Sequence, residues 1–134
     1  MNLAAVADTH AALWFLFGDI RLSEAAKLFM DGAASNGQRI AVSPISLVET
    51  IYLTEKNRIL TGAFRDLKTA LADPIHLFKE AAFTSEVAEA MLQIPRDRVP
   101  DMPDRIIAAT AIHLGVPVLS RDGRIRSSQV PTIW

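Results

Sequence analysis

An α/β fold of three layers, with a mainly parallel central sheet flanked by helices, is predicted by two features of the sequence. Short apolar runs that suit buried strands alternate along the chain with longer segments carrying apolar residues at helical spacing. That alternation is the pattern of β-α units whose strands lie parallel. The chain has 134 residues, half of them apolar and 22% charged, which is enough to build one core and fits a single domain over residues 1–134.

The elements follow in order. LAAVA, residues 3–7, is an apolar run that ends at Asp8 and reads as the first strand. From Thr9 the segment AALWFLF reads as a helix that Gly18 interrupts. Ser23 and Glu24 open an amphipathic helix, SEAAKLFMDGAA, with Ala26, Leu28, Phe29 and Ala33 as its packing residues. RIAVS, residues 39–43, is the second strand, and Pro44 stands at a helix start. ISLVETIYLTEKNRIL carries that third helix towards residue 60. Residues 64–71 suit a short helix stopped near Asp73-Pro74, IHLFK a strand, and SEVAEAMLQI a helix capped by Ser85. A proline- and charge-rich link, PRDRVPDMP, leads into DRIIAATAIHLG, a helix closed by Gly115. VPVLS is then a strand, RDGRI a turn and VPTIW a last edge strand.

Composition bounds the function. Fourteen basic and fifteen acidic residues leave a net charge of −1, so nothing global marks a nucleic-acid binder. The distribution is uneven, because residues 96–126 hold six arginines against four aspartates. With no cysteine, disulfides and thiolate metal sites are excluded. The apolar N-terminus lacks a basic leader and is broken by Asp8-Thr9-His10, which argues against a signal peptide. No stretch is long enough to span a bilayer, so a cytoplasmic protein without membrane partners is expected.

Open α/β sheets place their sites beyond the carboxyl ends of the strands. Asp8 follows the first strand, and Glu49 lies about a turn and a half into the helix after the second. Asp104 starts the helix before VPVLS, and Asp122 follows Ser120 just beyond that strand. Singly, Asp8 suits a helix cap and Asp122-Gly123 a tight turn, while Asp101 and Asp104 resemble a capping box. Glu49 is the exception, since a Glu among apolar neighbours calls for a partner. Together the four acids would repel unless protonated or neutralised by a cation. An all-oxygen set suits Mg²⁺ or Mn²⁺ better than zinc, and such a site serves phosphodiester hydrolysis.

The segments VADTHAALWFL, VSPISLVETIYL, PDMPDRIIAATA, VLSRDGRI and the terminal VPTIW together make the chain similar to PIN-domain ribonucleases, in particular VapC-type toxins of toxin–antitoxin pairs. The resemblance spans nearly the whole chain and is carried by D-T-H-A-x-L-W and D-x-x-D-R-x-I-A-A in combination. It implies a PIN-like fold, an Mg²⁺- or Mn²⁺-dependent endoribonuclease, an RNA substrate, a cognate antitoxin and a homodimer. Asp8, Glu49, Asp104 and Asp122 match the family's acidic residues, with Asp8 and Asp104 foremost for direct metal contact. Ser120 and Thr9 would support them, and Asp101 is assigned to capping first.

Arg105, Arg121 and Arg124 are candidates for RNA phosphate contacts, against a reading as solvated surface charge; for Arg126 the surface reading is preferred. His10 suits packing or indirect support, since hard cations prefer oxygen, and His76 and His113 suit core or helix-end positions. Trp14 with Phe15, Leu16 and Phe17 suits the core, with a partner groove as the alternative. Two competing functions deserve a test. One is a PIN-like module that binds RNA or protein without cutting. The other is a haloacid-dehalogenase-type phosphatase, disfavoured because His10 stands where a second Asp is needed.

Overall fold

In the computed structural model, which describes residues 2–134, five strands form one sheet in the order β3-β2-β1-β4-β5, and every neighbouring pair is parallel. Met1 lies outside the described residues. β1 (Leu3–Ala7) occupies the centre, β2 (Arg39–Val42) and β3 (Phe78–Glu80) extend the sheet to one side, and β4 (Val118–Leu119) and β5 (Thr132–Ile133) to the other. Parallel neighbours need a crossover, and the helices supply it. They are α1 (Thr9–Phe17), α2 (Glu24–Ser35), α3 (Pro44–Glu55), α4 (Ala63–Ala72), α5 (Ser85–Ala90), α6 (Met102–Leu114) and the short α7 (Gly123–Ser127). Among the described residues, no helix is long and apolar enough to cross a membrane.

Side-chain alternation along the strands divides the core in two. Ala5, Ala7, Ile40 and Val42 pack with Leu13 of α1, Met30 of α2 and Leu67 of α4. Val6, Ala41 and Val118 face the other way and pack with Val87 of α5, Ile107 and Ala111 of α6, and Ile125 of α7. Such strands, buried on both faces, need apolar residues at every position, and Ala5 to Ala7 are fully buried. Small residues there let the helices approach closely.

α6 is the helix that matters most for the site. Asp101 caps it by accepting from the Asp104 N–H at 3.2 Å, Pro103 suits its first turn, and Gly115 ends it at φ 69°, where a Cβ would be strained. Ile106 to Ala111 form an unbroken buried run. Truncating the fully buried Ile107 of this run to alanine would cost about 2–5 kcal/mol.

Local differences from the sequence expectation have identifiable causes. α3 stops at Glu55 instead of running towards residue 60, because Asn57 takes a left-handed φ of 57°. RDGRI is not a plain turn: Asp122 accepts from the Arg124 N–H and opens α7. Thr84, not Ser85, caps α5. In α2, Leu28 points to solvent and Met30 takes its place in the core. The third strand covers FKE and not IHLFK, because β2 pairs only with Phe78 to Glu80.

Candidate active site

The chain order reverses across β1. From β1 it proceeds through α1 and α2 to β2 on one side, while β4 pairs on the other. Loops leaving the carboxyl ends of β1 and β4 therefore part in opposite directions and open a crevice. Asp8 and Ser120 stand on its two walls, directly after β1 and β4. α6 runs back antiparallel to the strand it feeds, so its N-terminus, with Asp101 and Asp104, arrives at the same end.

A cavity of about 380 Å³ lies there, lined by Asp8, Thr9, His10, Trp14, Glu49, Asp101, Asp104, Arg121, Asp122, Arg124 and Trp134. The four acids expected from the sequence are thus brought to one place. A fifth, Asp101, assigned to capping first, does cap α6 and also lines the cavity.

Capping and lining are compatible because a carboxylate has two oxygens. Asp8 caps α1 by accepting from the Ala11 N–H at 2.8 Å through Oδ1, which leaves Oδ2 outside that bond. Asp122 uses its Oδ1 on the Arg124 N–H at 2.8 Å. Ser120 is fully buried, and its Oγ accepts from the Asp122 N–H at 3.0 Å, which ties the acid after β4 to the strand end. Thr9 Oγ1 donates to Glu49 Oε1 and lies 2.9 Å from the buried Ser46 Oγ, so α1 and α3 are pinned together where Glu49 enters the cavity.

The electrostatics follow from crowding. Burial pushes the Asp8 carboxyl above its usual range, against the lowering effect of Ser120 and the Ala11 N–H. Glu49 is raised by burial first, with the Thr9 hydroxyl opposing and Asp101 and Asp8 adding repulsion. Asp104 is raised from 3.8 to about 8, through burial and then repulsion from Asp101, Asp122, Glu49 and Asp8. Among the described residues, the ion pairs are Arg21–Asp19, Lys27–Asp31 and Arg65–Asp66, so no basic side chain is paired with the cavity acids. The acids offer oxygen donors only, and among the described residues none of them is in an ion pair, which fits a hard divalent cation. Among the described residues, no three acids or histidines stand close enough to close around an ion.

The arginines divide. Arg121 and Arg124 line the cavity. Arg105 does not. Its guanidinium donates to the Met91 and Ile94 carbonyls at 3.0 Å each, satisfying the end of α5 and the 3-10 turn that follows. Arg105 thus serves a structural contact beside α6: it adds a second donor to the Met91 carbonyl, which already accepts from the Ile94 N–H at 3.1 Å, and supplies one to the Ile94 carbonyl just after the turn.

His10, read as a packing or indirectly supporting residue, lines the cavity, and so do Trp14 and Trp134, which the sequence did not single out as site residues. Trp14 is 6% exposed, in keeping with a core position, yet an edge of it reaches the cavity. The one available sequence signal for Trp134 was its place after the last strand, at the same end of the sheet as the acids.

Comparisons with known proteins agree with this architecture. The PIN domain profile matches residues 5–129. Ribonuclease VapC22 of Mycobacterium tuberculosis (strain ATCC 25618 / H37Rv) is 32% identical over 131 residues, covering 95% of both chains. Among solved structures, the crystal structure of VapBC2 from Rickettsia felis bound to a promoter DNA fragment matches with a TM-score of 0.70 at 14% identity, over 97% of each chain. A toxin–antitoxin complex from Klebsiella pneumoniae matches at 0.64 with 19% identity, over 98% of this chain and 97% of that one. At such identities the structural matches speak for the fold, while the family profile and the VapC22 similarity speak for descent. The chain belongs to the PIN-domain family, as a VapC-type member.

Proposed function

We propose that this protein is a metal-dependent endoribonuclease, the toxin of a toxin–antitoxin pair, that hydrolyses RNA phosphodiester bonds. One observation carries the reading: Asp8, Glu49, Asp101, Asp104 and Asp122 line one cavity with no basic side chain paired to them, in a chain similar to Ribonuclease VapC22. Asp8, Asp104 and Asp122, with Glu49 directly or through water, would hold Mg²⁺ or Mn²⁺. When bound, such an ion lowers the pKa of a water and stabilises charge on the attacking and leaving oxygens.

The chain's own groups set up that chemistry. Thr9 fixes one Glu49 oxygen, so that the other is presented to the cavity in one orientation. The Ser120 hydroxyl eases ionisation of buried Asp8 and holds Asp122 through its N–H. Asp101 anchors the start of α6 and keeps Asp104 at the cavity wall. Arg121 and Arg124 offset the repulsion that the carboxylates would exert on an RNA phosphate. A homodimer and a cognate antitoxin that covers the acidic cavity belong to the same reading; the latter draws on the solved toxin–antitoxin relatives.

The test is cleavage of total cellular RNA with Mg²⁺ or Mn²⁺ by wild type, Asp8→Asn and Asp104→Asn. Loss of a direct ligand should lower the rate by roughly 100-fold or more. Full activity in either variant would remove that residue from the site. A second reading, an RNA- or protein-binding module that does not cut, draws on the open spacing of the acids. Purified wild type that retains RNA on a filter but never cleaves it would favour that module.

A further inference from the structure

One indole beside the cavity carries two guanidinium groups. The Arg21 guanidinium carbon lies 5.0 Å from the Trp14 ring centroid and that of Arg121 lies 4.6 Å from it. Trp134 packs against the same indole, with ring centroids 5.9 Å apart and planes at 55°. The two arginines are not equivalent. Arg21 is bound by Asp19 through two contacts, Nε to Oδ1 at 3.0 Å and Nη2 to Oδ2 at 2.7 Å, so its charge is already matched. Arg121 lines the acidic cavity, yet among the described residues no carboxylate lies within ion-pair distance of it.

That arrangement needs a cause. Five carboxylates line the same cavity, and an arginine on a flexible stem would be drawn among them. There it would occupy the space of a cation and present no charge to a substrate. An aromatic face offers a competing resting place, since its quadrupole attracts a cation without using any of the guanidinium N–H donors. Trp14 can provide such a face reliably. It is 6% exposed and held by the α1 backbone, the His10 ring at 5.3 Å and Trp134. A guanidinium stacked in this way keeps its planar fork available for a phosphate.

We propose that Trp14, backed by Trp134, is a positioning residue that holds the Arg121 guanidinium at the mouth of the acidic cavity, where it grips an RNA phosphate. The proposal rests on the ribonuclease reading above and assigns Trp14 no contact with the reacting atoms. Arg121 acts as an electrostatic clamp, and the indole sets where the clamp stands.

The test is a double-mutant cycle of Trp14→Leu and Arg121→Gln, read on an RNA oligonucleotide that wild type cuts, with Trp14→Phe as the conservative variant. Arg121→Gln should raise KM about tenfold with a much smaller change in kcat, the signature of a lost binding contact. It should also make the salt dependence of RNA binding shallower by roughly 0.7 in log–log slope, one phosphate contact on a single strand. Trp14→Leu should reproduce both effects in part, Trp14→Phe should restore most of the KM, and the double variant should be no worse than Arg121→Gln alone. Additive losses, or a Trp14→Leu defect confined to thermal stability with KM and salt slope unchanged, would overturn the positioning role. Those outcomes leave the nuclease reading standing, since they require wild type to cut. A wild type that neither binds nor cuts labelled RNA would refute the ribonuclease reading itself and the positioning role with it.

Discussion

Asp104→Asn should make the metal-free protein more stable while abolishing its activity. In the folded chain the Asp104 carboxyl is raised from 3.8 to about 8 by burial and by four neighbouring acids. Between those two values the folded state holds a proton that the unfolded state has released. Stability is therefore lost as pH rises through this window, and the full penalty is present above about 8. At 1.36 kcal/mol per unit the ceiling is roughly 6 kcal/mol. The side chain is only partly buried and its neighbours are screened by water, so about 1–3 kcal/mol is the realistic gain from removing the charge. For a domain of this size that corresponds to a rise in Tm of roughly 3–10 °C. The assay is thermal unfolding in EDTA from pH 5 to pH 9, wild type beside Asp104→Asn. The two curves should lie close together at pH 5 and diverge towards pH 9 with the variant above. Added Mg²⁺ should stabilise wild type more than the variant, because binding to the folded state alone adds stability. A variant that is less stable than wild type at pH 9 in EDTA, or a gap that does not change with pH, would refute the reasoning.

Three further outcomes follow from the same contacts. Asp101→Asn preserves the cap of α6, since Asn caps as well as Asp, but removes the neighbour that repels Asp104 most; the loss of stability with rising pH should end at a lower pH and be smaller in total, so in thermal unfolding the variant should lie above wild type at pH 9 with little difference at pH 5. Thr9→Val keeps the side-chain shape and leaves Glu49 and Ser46 without their shared partner, so unfolding should come about 1–3 kcal/mol sooner in denaturant and RNA cleavage should fall about tenfold. Arg105→Met should cost about 1–3 kcal/mol by stranding the Ile94 carbonyl, while the Met91 carbonyl keeps its bond from the Ile94 N–H. Its cleavage rate per folded molecule should match wild type, and a large loss in rate at full stability would return Arg105 to the RNA-binding surface.

Much of this arrangement is legible in the linear chain because it depends on local physics. The strand after residue 3, the helix after Thr9, the stop at Gly18 and the helix from Asp101 to Gly115 each follow from apolar period and cap chemistry within a few residues. Where local signals competed, boundaries moved. Asn57 ended α3 early by adopting a left-handed backbone, and Asp122 read as a turn residue because α7 is too short to show a period. The choice of Met30 over Leu28 for the core reflects the angle at which α2 meets the sheet, which no spacing rule specifies.

The sequence alone determined the type of fold and the identity of four acids placed after strands or near helix starts, since both rest on periodicity and on residue chemistry. Only the tertiary structure decided what those acids face. The reversal of chain order at β1 opens the crevice, and it depends on which strands pair, a long-range matter invisible to local pattern. It brought Asp101 into the cavity as well as onto its cap, withdrew Arg105 to two carbonyls, and set Arg121 against an indole 107 positions earlier in the chain. Charges separated along the chain reveal nothing of their mutual repulsion until folding fixes their distances. That is why the Asp104 carboxyl, an ordinary acid in the sequence, becomes one that titrates near 8.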